Sequence, residues 1–468
     1  MKTTLKIISI VVLLALTLSL TSTAVVAQQQ EVACENDVVV QADDWLSKIA
    51  DKFLGNPLAY PAIAQATNAK AAVDNSYATI VDTNLIEPGW KLCVPSAEDA
   101  ESMLGLVIGV IMVGPFNDHG WSEAHYHGGL YVEQHIPGAR MIWLDKLNPA
   151  DRPETTLEQV VDDMVAKGAQ LIFTTSDDFQ TDTDTVAAKY PDIPFVMISG
   201  DHALTGQAPP NVANYMGRME YGKMMAGCAA ALKTETGSIG YLGPLINDET
   251  RRLANSVYLG ARYCYQNYRG KDPNEIQFIV QWIGFWFNIP GVTLDPTEVA
   301  NDIFNAGADV ILSGIDTTEA IVVAGQRAEQ GEQVWAIPYD FEGACAEAPA
   351  ICLGVPYFNW GPGYLKYAND VQAGTFKQEW IWAGPDWTNI NSPDTTAVGY
   401  IKGDGLTAEE AAQLDQFIAG LADGSINLFV GPLNYQDGSV YLADGEVATD
   451  EQIWYAKQLL AGMTGPSE

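Results

Sequence analysis

The segment Val113–Ser122, Val-Gly-Pro-Phe-Asn-Asp-His-Gly-Trp-Ser, carries side chains suited to holding a small molecule, among them the carboxylate of Asp118 and the indole ring of Trp121. It follows the apolar run Leu104–Met112, which is typical of a fully buried strand, and precedes Glu123–Ile136, whose spacing predicts a helix. A loop between strand and helix lies at the carboxyl edge of an α/β sheet, where such proteins hold ligands. The segment therefore predicts half of a binding cleft for a small planar molecule.

The same combination of ring and polar group follows later predicted strands. These segments are Ser176–Phe179, Phe285–Asn288, Ser313–Thr318, Tyr339–Phe341 and Tyr357–Pro362. Aromatic faces can sandwich a planar heterocycle, each stack contributing about 1 kcal/mol beyond burial, and carboxylates and amides can pair with its N–H groups. Aromatic rings also stack on sugars, so a nucleobase and a sugar both remain candidate ligands. Structural alternatives are helix capping for Asp316 and Asp340, core packing for Trp286 and Trp360, and loop packing for Phe179.

No cofactor and no metal site is expected, and an enzyme is disfavoured. The sequence has no G-x-G-x-x-G, Walker loop, G-x-S-x-G, C-x-x-C or H-E-x-x-H pattern. Paired carboxylates, Asp177 with Asp178 or Asp316 with Asp340, suit glycosidic cleavage, so a wall-tethered nucleoside or glycoside hydrolase is kept as the remoter alternative.

Composition predicts a folded protein of two or three domains. The chain has 468 residues, of which 47% are hydrophobic, and a net charge of −35. Such acidity argues against nucleic acid and anionic lipid as partners, since both bind basic surfaces.

Residues 1–27 predict a secretory signal, with Lys2 and Lys6 before the apolar run Ile7–Leu20 and small residues at Val25–Ala27. The alternative is an uncleaved anchor. Either way, the protein is expected to be exported and to be periplasmic or associated with the cell surface or wall.

Six cysteines fit an oxidising compartment. The predicted pairs are Cys34–Cys93, Cys345–Cys352 and Cys228–Cys264. Lipidation of Cys34 is not expected, because Glu31 stands where the bacterial lipoprotein pattern has leucine.

Residues 34–96 form a unit of their own. Val38–Val40 predicts a strand, Asp43–Ala50 a capped helix start, and Ile86–Pro95 a turn that leads into a last strand. The closing pattern "I-x-P-G-x-x-L-x-V-P" resembles a lysin-motif (LysM) domain, although Ala71–Thr83 is longer than usual. The resemblance implies binding of N-acetylglucosamine polymers such as peptidoglycan. The alternative is a spacer that has lost this function.

After a predicted linker at 97–104, strands and helices alternate. Buried strands are predicted at Leu104–Val113, Gln170–Thr175, Pro194–Ser199, Ser238–Leu242, Phe278–Ile283, Asp309–Leu312, Val334–Ile337 and Ala350–Val355. Helices are predicted at Thr156–Lys167, Met216–Lys233, Glu249–Tyr268, Pro296–Ala306 and Thr317–Glu329. The alternation predicts α/β architecture with two Rossmann-like lobes around a cleft.

The boundaries expected for these lobes are 105–213 with 357–384 for lobe 1, and 214–356 with 385–465 for lobe 2. The chain is expected to cross between them near Asn211–Gly217, Gly354–Tyr357 and Ala383–Trp387. We expect a hinge that closes the lobes over the ligand.

Five segments resemble the basic membrane protein (BMP) family. They are Val113–Ser122, Ile172–Phe179, Asn211–Gly227, Ala308–Thr318 and Asn359–Tyr364. The resemblance covers essentially all of residues 105–465. It implies a type I periplasmic-binding fold, delivery of a ligand to the permease of an ABC transporter, and binding of purine nucleosides or bases.

The resemblance also assigns roles to single residues. Stacking is implied for Trp121 and Phe179, polar contact for Asp118, Asp316, Asp340 and Asn359, and a place in the wall for Trp286 and Trp360. The patterns "N-D-H-G-W-S" and "N-W-G-P-x-Y" resemble a branch associated with adenine-like ligands. Nucleoside-binding members tend to have a lysine near the place of Phe358–Trp360, which this chain lacks, and this favours a free base. The pair Asp177–Asp178 is more acidic than expected for this family, so a different or a cationic ligand is a further alternative.

Overall fold

The computed structural model describes residues 33–83 and 85–468. The predicted signal segment lies outside the described residues. The chain divides into two compact units, the first ending at Ala100 and the second beginning at Glu101. In the described part of the chain, no helix is long and apolar enough to cross a membrane.

The first unit has the order strand, helix, helix, strand. Its elements are β1 (Asn36–Val39), α1 (Leu46–Leu54), α2 (Tyr60–Ala71) and β2 (Lys91–Val94). The two strands pair antiparallel. Helix α1 ends at Gly55, whose φ of 69° is a left-handed conformation that glycine adopts without strain. The Cys34–Cys93 disulfide ties the start of the unit to its last strand.

The second unit contains all the remaining elements. Its strands are β3 (Val107–Ile111), β4 (Arg140–Leu144), β5 (Leu171–Thr174), β6 (Phe195–Ile198), β7 (Val212–Gly217), β8 (Ser238–Gly243), β9 (Gln277–Trp282), β10 (Val310–Ser313), β11 (Trp335–Ile337), β12 (Gly354–Phe358), β13 (Trp380–Ala383), β14 (Val398–Lys402), β15 (Leu433–Asn434), β16 (Val440–Leu442) and β17 (Met463–Thr464). Its helices, after α3 (Ala97–Met103) at the junction, are α4 (Trp121–His135), α5 (Leu157–Ala166), α6 (Gln180–Lys189), α7 (His202–Thr205), α8 (Glu220–Lys233), α9 (Asp248–Asn267), α10 (Pro296–Asn305), α11 (Glu319–Glu329), α12 (Gly361–Gln372), α13 (Ala408–Ala422) and α14 (Asp450–Trp454).

Two parallel sheets form the cores of two lobes. The sheet of the first lobe has the order β13-β7-β6-β5-β3-β4, and that of the second has the order β11-β10-β8-β9-β17. All their pairs are parallel. The central strands β3, β5 and β6 are buried throughout, which explains their continuous apolar sequences. The predicted two-lobed α/β architecture is therefore confirmed.

The chain passes between the lobes three times. It leaves the first sheet at Gly217 and enters α8 of the second lobe. It returns through β12 into α12, and leaves again after β13 through β14. Strands β12 and β14 pair antiparallel with each other, outside both large sheets. Strands β12 and β14 therefore belong to the segments that connect the two lobes.

Some sequence predictions need correction. The strand predicted at Ala350–Val355 is misplaced: Pro349–Ile351 is a 3-10 turn, and β12 begins at Gly354. Pro349 has no N–H to give to a strand, and the N–H of Cys352 donates back to its carbonyl. The helix predicted from Met216 begins at Glu220, since β7 continues to Gly217. The predicted linker is helical over α3. The predicted pairs Cys228–Cys264 and Cys345–Cys352 are both present.

Candidate functional site

A narrow cavity lies between the lobes, at the carboxyl ends of strands from both sheets. Its empty volume, with the adjoining open solvent included, is about 310 Å³. The first lobe contributes Val113, Trp121, Ser176, Asp177 and Ser199 to its lining, and the second contributes Glu249, Trp286, Asp316 and Tyr339. Each of these residues lies in the loop after a parallel strand or in the first turn of the helix that follows, so the topology of parallel sheets brings them together.

Two indole rings face the cavity from opposite lobes. The Nε1–H of Trp121 donates to the carbonyl oxygen of Thr175 at 2.6 Å, and its ring lies edge-to-face against that of Phe358. The Nε1–H of Trp286 donates to Oδ1 of Asp177 at 3.1 Å. Because both indole N–H groups are bonded within the protein, a ligand meets these rings as apolar surfaces.

Asp177 joins the lobes at the edge of the cavity. It lies in the first lobe, and its two carboxylate oxygens accept from Trp286 and from Nδ2 of Asn247, at 3.1 Å, in the second. Burial, with the nearby charge of Glu249, raises the pKa of Asp177 to about 7. This carboxyl is therefore partly protonated at neutral pH.

Asp316 is a buried carboxyl group in the lining of the cavity. It is 5% exposed, and within the described residues no group donates a hydrogen bond to its carboxylate. Burial and the neighbouring charge of Asp340 raise its pKa well above the ordinary value. Its N–H donates to the carbonyl of Trp286 at 2.9 Å, which fixes the loop. Its oxygens are free to contact a ligand.

Glu249 is held from both sides. The hydroxyl of Ser199, in the first lobe, donates to its Oε2, and a guanidinium nitrogen of Arg252 lies 3.6 Å from the same oxygen. Arg252 is itself buried against Glu220, with Nε to Oε1 at 2.7 Å. A second direct bond between the lobes thus passes beside the cavity.

Behind the cavity wall lies a buried cation. The Nζ of Lys223 lies 3.1 Å from the ring centre of Tyr339 and donates to the carbonyl of Ser313 at 2.7 Å. Burial lowers the pKa of Lys223 to about 7, although Asp340 opposes the shift. Both oxygens of Asp340 are buried without a hydrogen-bond partner in the described structure, and burial raises its pKa well above the ordinary value.

Of the eight predicted contact residues, Trp121, Trp286 and Asp316 line the cavity and the other five lie outside its lining. Asp118 caps helix α4, since its carboxylate accepts from the N–H groups of Gly120, Ser122 and Glu123. Burial raises its pKa to about 6, against these bonds.

Three of the other predicted residues pack in a core or brace a loop. Phe179 is buried in the core of the first lobe. Asn359 donates through Nδ2 to the carbonyls of Pro393, at 2.8 Å, and Thr396, at 3.0 Å, and so braces the loop before β14. Trp360 is stacked between His125 and Phe358, with ring centres 4.3 Å and 4.6 Å away.

Several residues that line the cavity were not predicted from the sequence to contact a ligand. Ser176, Asp177 and Tyr339 stood in the segments singled out after strands, but no contact was assigned to them. Ser199 carried only the signal of its place after a buried strand, and its φ of 70° is not readable from sequence. Glu249 was predicted as the start of a helix, and its closeness to the cavity depends on how the lobes meet.

The fold and the site together define a two-lobed binding protein with its ligand cavity at the cleft. The family model "ABC transporter substrate-binding protein PnrA-like" matches residues 106–355. The chain belongs to this Bmp family. It is an ABC transporter substrate-binding protein, with a small-molecule ligand and a permease as partners.

Two proteins of known sequence and one solved structure are similar to this chain. A purine-binding protein of Brucella abortus is 31% identical over 369 residues, which are 76% of this chain and 93% of that protein. A Haloferax volcanii protein, provisionally named an ABC transporter glucose-binding protein, is 26% identical over 280 residues, 58% of this chain and 63% of that one. The crystal structure of an ABC transporter solute-binding protein from Aeropyrum pernix K1 has a TM-score of 0.55 at 15% identity, covering 70% of this chain and 94% of that one.

Proposed function

We propose that the protein captures a purine base, adenine-like by preference, or a nucleoside, and delivers it to the permease of an ABC importer. The observation that carries this proposal is that the carboxyl of Asp316, to which no described residue donates a hydrogen bond, lines the same narrow cavity as the rings of Trp121 and Trp286. Indole rings can stack on the faces of a flat heterocycle. A carboxyl group can form hydrogen bonds with the N–H groups and ring nitrogens at its edge. The purine-binding relative from Brucella abortus supports the same ligand class.

Capture is proposed to proceed by closure of the hinge formed by β12 and β14. The cavity draws its lining from both lobes, so an open form would expose the site to solvent and a closed form would enclose the ligand. The direct bonds of Asp177 to Asn247 and of Ser199 to Glu249 then hold the closed form. Of the residues outside the lining, Asp118 is proposed to act through the loop that it caps, and Asp340 through its electrostatic effect on Asp316.

The proposed place of action is outside the cytoplasm, at the periplasmic or outer face of the membrane, after export by the segment 1–27. The first unit is proposed to hold the protein at peptidoglycan. Its order of strand, helix, helix, strand supports a LysM-like module, and an insoluble-peptidoglycan pull-down of the whole chain tests this step.

The protein is proposed to bind and not to catalyse. A sugar is the second candidate ligand, because the Haloferax volcanii relative is named for glucose. A thermal-shift panel of purine bases, nucleosides and simple sugars separates the two, and chromatography of the recovered ligand detects turnover. We expect the largest stabilisation with adenine and no product. Stabilisation by glucose alone would replace the purine proposal, and a cleaved nucleoside would replace the binding role by a hydrolase.

A further inference from the structure

A column of stacked aromatic rings lies behind Trp121. The planes of consecutive rings differ by 14° to 22°, and their centres lie 3.7 to 6.0 Å apart. The five rings, in order, are those of Phe173, Tyr364, His125, Trp360 and Phe358. All five side chains are buried. The column therefore runs from β5, in the core of the first lobe, to the last residue of β12, which crosses between the lobes.

The ring of Trp121 is nearly perpendicular to this column. It makes angles of 73° with His125, 75° with Trp360 and 89° with Phe358, and the ring centres lie 4.6 to 5.3 Å apart. Edge-to-face contact is a favoured arrangement of aromatic pairs, because the positive edge of one ring meets the negative face of the other. His125 follows Trp121 by one turn of α4, so the two side chains lie on the same face of the helix. The column thus limits the planes that the indole can adopt.

His125 is the ring of the column that contacts Trp121 and is itself held by a hydrogen bond. Its Nδ1 and the hydroxyl of Tyr364 share a hydrogen bond of 2.8 Å. Burial holds the pKa of His125 well below its ordinary value, so the imidazole is uncharged. Rotation of the imidazole would break this hydrogen bond at a place that water does not reach, and that loss is costly. Tyr364 therefore fixes the plane of the imidazole on which the indole of Trp121 rests.

Apolar packing alone does not require these polar rings. The Nε2 of His125 and the Nε1 of Trp360 are buried without a hydrogen-bond partner in the described structure. Buried polar atoms in this state lower the stability of a protein, and an apolar side chain of similar size avoids the loss. What flat rings provide in return is a defined plane for the rings that contact them.

We propose that His125 is a positioning residue of the ligand site: held by Tyr364, it sets the plane in which the indole of Trp121 lines the cavity. This inference rests on the proposed function, in which that indole stacks on the ligand, and it adds the group that orients the indole. His125 does not line the cavity, so it acts on the ligand through Trp121.

The test removes one hydroxyl and keeps every ring. Tyr364→Phe deletes the group that is bonded to His125. Tyr367→Phe is the matched control, because Tyr367 lies in the same helix, is also buried, and has a hydroxyl without a partner in the described structure. The readout is the indole N–H of Trp121, which donates to the carbonyl of Thr175, measured by heteronuclear NMR of the full chain without ligand. The loss of one signal in Trp121→Phe identifies it.

In Tyr364→Phe we expect the Trp121 N–H to exchange with solvent about tenfold faster and adenine to bind about three- to tenfold more weakly, because the released imidazole lets the indole tilt away from Thr175. Tyr367→Phe should match the parent in both. His125→Asn, which removes the ring, is the second variant and should have at least the effect of Tyr364→Phe. A lower melting temperature with an unchanged Trp121 signal in either variant would overturn the proposal, and so would an equal change in Tyr367→Phe.

The two readouts separate this inference from the proposed function. Faster exchange in Tyr364→Phe, in a protein that binds no purine base or nucleoside, would leave the orientation of Trp121 by His125 standing and remove the purine proposal. Binding of adenine with the same affinity and the same Trp121 exchange in the parent, Tyr364→Phe and His125→Asn would keep the purine proposal and overturn the positioning role.

Discussion

Replacing Gly120 by alanine should prevent the two lobes from closing. Gly120 lies in the first lobe before α4, and a Cβ added to it would lie 1.6 Å from the backbone oxygen of Asp316 in the second lobe. Cβ atoms essentially never come within 3.0 Å of another heavy atom, so the lobes would have to part by about 1.4 Å at this point. The obstacle is backbone on both sides, and a side-chain rotation cannot remove it.

The size of the effect follows from the cost of overpacking. Such contacts cost about 1–3 kcal/mol when the surroundings yield only in part, which corresponds to an affinity about 5- to 150-fold weaker for a ligand that needs the closed form. Calorimetry with adenine measures this loss. Small-angle scattering should show that the variant needs a correspondingly higher adenine concentration than the parent to become compact.

Gly384→Ala is the matched control. A Cβ at Gly384 meets no atom within 4 Å, although the residue directly follows β13 at a crossing between the lobes. It should bind and compact like the parent. If Gly120→Ala binds adenine within twofold of the parent at an unchanged melting temperature, the contact between Gly120 and Asp316 has no part in closure.

Three further changes test other parts of the site. Trp121→Ala should weaken adenine binding by about 1–3 kcal/mol if the ring stacks on the ligand, and unchanged affinity with a lower melting temperature would make it a core residue. The pKa of Asp177, about 7 in the closed form, falls to about 3.9 when it meets water, so closure takes up a proton. Affinity for a neutral purine should therefore fall as pH rises from about 4 to about 7 and level off above that. Asp177→Asn should flatten this slope, and an equal slope would refute the linkage. Arg252→Met leaves Glu220 buried without its cation, which should cost about 3–5 kcal/mol of unfolding free energy by denaturant titration, and a loss below 1 kcal/mol would contradict this.

Much of the fold was readable from the sequence because its strands are short, apolar and separated by amphipathic helices. Two of the strands that were missed, β4 and β13, are apolar but lie at the edges of the first sheet and are not fully buried. In β4, Trp143 is exposed, and β13 has no fully buried residue. Such strands are fixed by the partner they pair with, and that information is not local.

The site was predicted only in part, for two physical reasons. A carboxylate near a helix start can serve its own backbone, as Asp118 does, and composition does not distinguish this from ligand contact. Asn359 bonds carbonyls more than 30 residues further along the chain, a partner that spacing cannot reveal. Trp286 and Asp316 were found because each follows a central strand of the second sheet, where the topology leads to the cleft.

We expect one purine to bind reversibly between the two lobes. Titration calorimetry of the purified full chain with adenine, followed by mass spectrometry of the ligand released on denaturation, tests it directly. We predict one adenine per chain, recovered chemically unchanged, and at least tenfold weaker binding by Asp316→Asn. Absence of binding by adenine and by every other purine base and nucleoside, or recovery of an altered purine, would contradict the claim.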